Sequence, residues 1–591
     1  MYGLELVAHW QLFFAVVINC IAYWLFMVLG KRRTLKAAIS RRLSVCEEVA
    51  SALKESLSTS DSIELEKRRL IIQLGLSELT AKLQSEELLP TDVLHAYQWR
   101  ALKLSDETGS NCVVQFIEEA ESWASQLEET YGQHRKAKPP FYGIPISVKE
   151  SVQIKDYECT RGYVRSLGHK AVCDANVIAL LKKLGAVPFA QTNVPQTLLS
   201  YACSNPIYGR TAHPTHPDRT CGGSTGGEAT LIRLAGSILG IGGDVGGSIR
   251  VPAHFSGICG FKPTSTRISQ IGSMPSIPGR PLMCATLGPM ARDVYSLVTF
   301  MRNILCDELF ENDPYVMPIK FQEQVYNEAR PLTIGYYESD DFFEAIPACR
   351  RVISKSKEML ESAGHRLVPF KPPDITAAVS LLIAICTVDG GRYVRDHLKG
   401  EIIDSSVHLM KLLYSLPYWS RRMLAALVKP LDRRTSLLLK SFPSDTGELR
   451  RMYHKVGNYR RSFCEAWKDA GLDALICPAC PIVALPDKVM PRLMSIVSYP
   501  ALYNLLDLPA GVVPCSVVTE DDEKQVTLHY SIDGPILSVV KRYLGQGSGS
   551  VGLPVALQVV AMHARDEVCL RLMTQVEQLW SQLPASSTDF S

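Results

Sequence analysis

Residues 221–262 read CGGSTGGEATLIRLAGSILGIGGDVGGSIRVPAHFSGICGFK, and this run narrows the fold more than any other part of the chain. Two clusters end alike, Gly222-Gly223-Ser224 and Gly246-Gly247-Ser248, with an apolar, helix-like stretch between them. Glycine lets the backbone take positive φ and approach another group closely, so each cluster can present a hydroxyl beside several free N–H groups at a tight turn. A turn of that kind suits a developing oxyanion. The bland alternative is a pair of flexible loops, and the repeated Gly-Gly-Ser ending inside so apolar a run argues against it.

Two literal motif matches fail on context. Gly222 to Gly226 satisfies GxSxG, the nucleophile elbow of α/β-hydrolases, yet that elbow needs a buried strand directly before the serine, and TAHPTHPDRTC is polar and Pro-rich. GIGGDVG, beginning at Gly240, does not keep the GxGxxG spacing of a dinucleotide fingerprint, and there is no Walker sequence.

A serine hydroxyl is a poor nucleophile until a base takes its proton. Neither Gly cluster contains a histidine, and His213 and His216 fall in the polar loop, where solvated surface is the expectation. Lys149 closes the apolar segment Tyr142 to Val148. A lysine serves as base when desolvation and nearby dipoles lower its pKa far enough for the neutral amine to exist, whereas a strand-capping lysine is ordinarily just solvated. Three readings stay open here: a Lys149-based serine enzyme, a His-dependent α/β-hydrolase using Ser224 with a downstream His254 or His529, and a non-catalytic membrane-tethered scaffold.

Further out, short apolar runs alternate with helical periodicity: Ile144 to Val148, Ala186 to Ala190, Ile258 to Phe261, Ala474 to Cys477, then Leu508 to Val513 and Val551 to Val560. That alternation predicts an α/β fold, a mixed sheet covered on both sides. Cys477 and Cys480 have metal-ligand spacing, but Pro478 and Pro481 point to a strand edge instead of a zinc pair. With 591 residues the chain can bury a large core, so 17 scattered cysteines fit reduced thiols better than a disulfide framework. A net charge of +3 gives no support to a nucleic-acid partner.

At the N-terminus, Trp10 to Gly30 carries no charge and is long enough to cross a hydrocarbon layer, which takes ~20 apolar residues. A secretory signal would need a basic start, a shorter apolar stretch and a small-residue cleavage site, none of which is present. A retained anchor is expected, with Lys31-Arg32-Arg33 placing the following body in the cytosol. Leu35 to Leu57 and Asp61 to Lys82 predict an exposed helical arm. Between Lys411 and Lys440, apolar and aromatic residues mix with Arg421, Arg422, Lys429, Arg433 and Arg434 and break at Pro417 and Pro430. Two short amphipathic helices lying in a membrane interface, cations toward the headgroups, are expected there. An ordinary surface helix pair is the alternative.

GIPISVKES around Lys149, the two Gly-Gly-Ser clusters, SIRVPAHFSGICGFKPT, GPMAR at Gly288 to Arg292 and YNLLDLPAGVVP at Tyr503 to Pro514 together resemble the amidase signature family, from about residue 90 to about residue 575. The resemblance implies that family's fold, a central twisted mixed β-sheet surrounded by α-helices, preceded here by a transmembrane helix. It divides the chain into an anchor (1–33), a helical arm (34–88) and a catalytic domain (89–591) whose membrane cap lies about 411–440. It implies Ser248 as the acylated nucleophile, Ser224 as a cis-Ser relay and Lys149 as the base. The backbone N–H groups of Val245, Gly246, Gly247 and Ser248 would form the oxyanion hole. Thr225 stands where many members carry a second serine, and Arg250 with Asp244 would hold the loop. Leu199 and Thr387 stand where aromatics are expected. The resemblance implies no metal and no cofactor, a fatty acid amide substrate, membrane lipid and a second copy of the chain as partners, and a place in the endoplasmic reticulum or another internal membrane.

Overall fold

The computed structural model describes residues 2–132, 136–280, 282–283, 285–531 and 533–583, with side chains omitted at 2–8 and 12. The last stretch of the expected catalytic domain, 584–591, lies outside the described residues. Thirteen strands are present among the described residues: β1 Val113–Phe116, β2 Pro145–Lys149, β3 Val187–Thr192, β4 Ser204–Asn205, β5 Gly209–Arg210, β6 Leu239–Asp244, β7 Cys259–Lys262, β8 Thr286–Ala291, β9 Thr333–Tyr336, β10 Arg366–Pro369, β11 Ala474–Pro478, β12 Ala510–Val517 and β13 Pro554–Ala561. β4 and β5 make a small hairpin, and the other strands form one sheet in the order β1-β3-β2-β6-β8-β7-β12-β13-β11-β9-β10. β2 runs parallel to both β3 and β6, while β6–β8, β8–β7 and β7–β12 are antiparallel, so the sheet is mixed. β2, β3 and β11 are buried along their whole lengths, as near-continuous apolar runs dictate when helices cover both faces.

Every apolar run read as a strand is one, to within a few residues at each end. The Cys477 reading also resolves: Cys477 lies in β11, its sulfur within reach of the Tyr503 hydroxyl at 3.4 Å.

The N-terminal segment departs from expectation. A single helix, α1, runs unbroken from Tyr2 to Ser56. Its apolar part is bare, with Phe13, Phe14, Trp24 and Phe26 more than half exposed. Leu35, Ala38, Ile39 and Cys46 then pack against Val114, Val164, Ile207 and Tyr208, and Arg42 pairs with Glu158 at 3.2 Å. The following helices, α2 (Ser62–Gln73) and α3 (Leu76–Gln84), place Ile71, Leu76, Leu79 and Leu83 in the main core. The expected exposed arm is therefore part of the body. Its many charges lie on the outer face, and the leucines at helical spacing cover the body.

The cap region holds three helices where two were expected: His408–Ser415, Tyr418–Val428 and Arg433–Lys440, separated at the two prolines. Leu412, Trp419, Met423, Leu427 and Leu431 stand exposed. Two of the expected headgroup cations turn inward instead. Arg421 is 5 % exposed and lies over the Phe442 ring, and Arg434 donates to the Phe342 carbonyl. Desolvating an apolar guanidinium stem against an aromatic ring offsets part of the cost of burying it.

Candidate active site

β2 and β6 are parallel neighbours, with Val148 opposite Ile241, so their carboxyl ends open side by side. In open α/β sheets that edge is where ligands bind. Lys149 is the last residue of β2, and the second Gly cluster begins immediately after Asp244, the last of β6.

The Lys149 Nζ donates to Ser224 Oγ at 2.8 Å, Thr225 Oγ1 at 2.9 Å and the Gly243 carbonyl at 3.1 Å. The lysine is 2 % exposed and has no carboxylate within ion-pair distance among the described residues. Burial pulls its pKa down to about 8, against the opposing influence of Asp244. Desolvation penalises the ammonium, so a usable fraction of neutral amine exists near neutral pH. The Gly223–Ser224 peptide is cis.

The second cluster wraps around Asp244. Its carboxylate accepts the N–H groups of Gly247 (2.8 Å) and Ile249 (3.0 Å) and pairs with Arg250 at 3.0 Å, both side chains fully buried. Arg250 also donates to the Pro500 carbonyl, Gln558 and Asn504, and Asn504 donates back to Asp244. Despite burial, that set of donors holds the Asp244 carboxyl well below its ordinary pKa. Gly247 has φ +102°, and a Cβ there would stand 2.5 Å from Pro500 Cβ, so only glycine fits. Of the four N–H groups expected to point at an oxyanion, that of Gly247 is given to Asp244, because the turn curls around the carboxylate. Those of Val245, Gly246 and Ser248 donate to no protein group among the described residues.

Lys149, Ser224, Gly243, Val245, Gly246 and Ser248 all line one cavity of about 250 Å³, whose remaining wall is largely apolar: Leu382, Leu413, Leu438, Leu439, Phe442 and Met494 among others. Leu199 lines it too. Thr387 does not; its hydroxyl bonds back to the Ile383 carbonyl at 2.6 Å.

The histidines are placed elsewhere. His213, expected as solvated surface, is 1 % exposed; its Nε2 donates to the Phe255 carbonyl at 2.7 Å while Nδ1 accepts the N–H groups of Thr215 and His216, and burial lowers its pKa to about 3. The Pro-rich loop folds inward over helix Arg250–Ser256, which polar composition did not reveal. His254 is fully buried, with Nε2 on the Ile482 carbonyl and Nδ1 accepting the Ala556 N–H, both at 3.0 Å. Both ring nitrogens are thus committed to backbone, and His529 is exposed at the end of helix Glu520–His529. Neither is placed to serve Ser224.

Sequence reasoning missed a second buried group. Glu228 accepts from Ser147 at 2.5 Å and Thr192 at 3.0 Å, and Ser147 also bonds Ser237 at 2.8 Å. Ser147 points to the same side of β2 as Lys149, two residues on. Burial raises the Glu228 carboxyl to about 8. Only the strand's alternation pointed to this group. Tyr201, which donates to the Gly246 carbonyl at 2.6 Å, had no sequence signal at all.

A mixed α/β sheet with a buried lysine, a cis-linked serine and a Gly turn at one strand edge is the architecture of an amidase. Residues 92–570 match the amidase family, and the chain belongs to it. Two curated relatives are named fatty acid amide hydrolase 1: the Caenorhabditis elegans protein, 37 % identical with 95 % of this chain and 98 % of that one covered, and the Sus scrofa protein, 40 % identical with 86 % of each covered. A solved structure of a fatty acid amide hydrolase superposes with a TM-score of 0.74 over 94 % of both chains at 24 % identity, which supports the fold.

Proposed function

We propose that the chain hydrolyses long-chain fatty acid amides, N-acylethanolamines and primary fatty amides, at a membrane surface through an acyl-enzyme on Ser248. The observation that carries this is the buried Lys149 amine, bonded to Ser224 and Thr225, opening together with Ser248 on a mainly apolar cavity.

In this mechanism neutral Lys149 draws the Ser224 proton, and Ser224 draws that of Ser248, whose Oγ attacks the amide carbonyl. Free N–H groups at Val245, Gly246 and Ser248 receive the oxyanion, each such donor contributing about 3 kcal/mol. The proton returns from Lys149 through Ser224 to the leaving nitrogen, without which an amine departs poorly. Water then releases the fatty acid. Thr225 supports the lysine, and Arg250 holds the Gly turn through Asp244. The names of the relatives and the apolar cavity wall support the fatty-acyl half.

The exposed apolar residues of α1 and of helix Tyr418–Val428 support attachment to lipid, and the cavity is walled partly by the inner sides of the cap helices. On this reading the anchor holds the body on the cytosolic face of the endoplasmic reticulum or another internal membrane, as a homodimer. Protease protection of microsomes tests the sidedness, and chemical cross-linking in detergent tests the dimer.

The decisive experiment is fluorophosphonate labelling followed by peptide mass analysis. Labelling at Ser248, lost in Ser248→Ala, is the expected result; retained labelling in that variant would sink the assignment. Absence of turnover on every acyl amide offered would leave the scaffold alternative.

A further inference from the structure

Beside the Lys149 amine lies a carboxyl that the proposed chemistry does not use. Glu228 is fully buried in the first turn of helix Gly226–Arg233, whose N-cap is Thr225, one of the two hydroxyls that accept from the lysine. Its Oε2 meets the Ser147 hydroxyl on β2, the strand that ends in the lysine. Its Oε1 accepts from Thr192 on β3, the residue directly across from Lys149 in the strand register. On the other flank, Gly240 of β6 lies across from Ser147, and a Cβ there would collide with Glu228 Oε2. Strands β2, β3 and β6 and one helix thus enclose the carboxyl, and a glycine leaves it room.

The surrounding hydroxyls let this carboxyl change charge without moving a heavy atom. Ser147 Oγ stands 2.8 Å from Ser237 Oγ, which donates to the Leu239 carbonyl at 3.1 Å. As a neutral acid, Glu228 donates to Ser147, Ser147 to Ser237 and Ser237 to that carbonyl, so every proton in the row has an acceptor. As a carboxylate it accepts from Ser147 and Thr192 instead, because a hydroxyl proton rotates to suit. A buried carboxyl that is permanently ionised is ordinarily paired with a cation, and none lies within ion-pair distance of Glu228 among the described residues.

Few titratable groups bear on the pair. Lys149 is faced by Asp244, the Cys203 thiol, Glu228 and Glu150. Asp244 is taken up by Arg250 and Asn504, and Cys203 donates to the Asn193 carbonyl at 3.4 Å. Glu150, which burial raises to about 7, accepts from the hydroxyl and N–H of Thr160 and the N–H of Arg161. Glu228 is faced by Lys149 and by the Cys112 thiol, which burial pushes up to about 11 and so keeps neutral. Burial drives the lysine down and the glutamate up until both stand at about 8. The two therefore lose their first proton as a unit. That charge state has two forms, neutral amine with neutral acid and ammonium with carboxylate, and only the first contains free base.

We infer that Glu228 is a positioning residue for the Lys149 base: its carboxyl bridges β2 to β3 beside the lysine and competes with the amine for one proton, which sets how much free base the site holds. This rests on the Lys149 mechanism proposed above.

The test is the pH dependence of the rate at which a fluorophosphonate labels Ser248 in the full-length protein, a reaction that needs the base but no leaving amine. Glu228→Gln keeps an acceptor for Thr192 and a donor for Ser147 but cannot ionise. Without the competing carboxylate, the rising limb should move toward lower pH by about half to one pH unit, raising the rate on the limb about 3- to 10-fold. Thr192→Val takes one donor from the carboxylate, disfavours the ammonium–carboxylate form, and should move the limb the same way by less. It decides in the same sense if Glu228→Gln fails to fold. A purely structural role would lower the melting temperature or the plateau rate and leave the limb in place. A limb unmoved within about 0.2 pH units in folded Glu228→Gln, or moved upward, overturns the inference. Ser248 labelling with a wild-type limb that Glu228→Gln moves, but with no turnover of any acyl amide, would overturn the hydrolase reading and sustain the inference. Labelling that shows no limb in the wild type overturns the Lys149 base and the inference with it.

Discussion

The cluster between β2 and β6 and the cap helices between His408 and Lys440 are built on opposite rules. In the first, polar side chains are buried and nearly all their hydrogen-bonding capacity is used within the protein: Asp244, Arg250, Asn504 and Gln558 close a network among themselves. In the second, Trp419, Met423 and Leu427 of helix Tyr418–Val428 face outward, while the helices on either side of it, His408–Ser415 and Arg433–Lys440, wall the cavity. Positioning chemistry requires groups whose own demands are met, so that nothing relaxes when charge develops. Delivery of an apolar substrate requires the reverse, a surface left unsatisfied until lipid meets it.

The contrast can be broken from the rigid side first. Ser248→Ala should cut turnover by on the order of 10⁴-fold or more in a fatty amide assay, while vesicle binding stays as it was. Lys149→Ala should cost roughly 10²- to 10⁴-fold. Its signature is in the pH profile. With the Lys149 pKa lowered to about 8, the fraction of neutral amine grows as pH rises, so wild-type kcat/KM should climb toward pH 8 and level off above it. The alanine variant should lack that limb. Arg250→Ala leaves the Asp244 carboxylate buried and unpaired, and should destabilise the fold by about 3–5 kcal/mol in denaturant unfolding. A much smaller loss would mean the network is less closed than its distances suggest. Smallest is the cap: in protein lacking residues 1–33, Trp419→Glu with Leu427→Glu should weaken vesicle co-sedimentation about 10-fold, while turnover of a short soluble amide is little changed. Equal loss on both substrates would mean that the cap helices serve the site directly.

The two regions also differed in how far the sequence betrayed them. Strand positions were legible because a fully buried strand leaves a short apolar run bounded by Gly and Pro, as at Ala474 and Val187. Ser224 and Ser248 stand out through the repeated Gly-Gly-Ser ending, but Lys149 closes a strand as an ordinary solvated lysine would, and only the family resemblance joins it to them. What escaped depends on distant packing. Gly247 loses its N–H to Asp244 only because Arg250 and Asn504 hold the carboxylate from residues 6 and 260 positions away. His213 disappears into the interior because its loop folds across a helix that no local pattern connects to it. The helices from Ser62 to Gln84 looked exposed because charge density was read without knowing which face the body would cover. In the cap, Arg421 and Arg434 looked like headgroup ligands until tertiary contacts claimed them.

One last consequence belongs to α1, which passes from its apolar part to its docked part without a cap, a glycine break or a proline after Gly30. A flexible tether would only hold the enzyme near the bilayer; an unbroken helix also fixes azimuth. Each residue added between Lys31 and Leu35 would swing the docked body by about 100° around the anchor and shift it by about 1.5 Å. On the proposed membrane reading, the compass bearing at which the cap would meet lipid is thereby counted out in single residues.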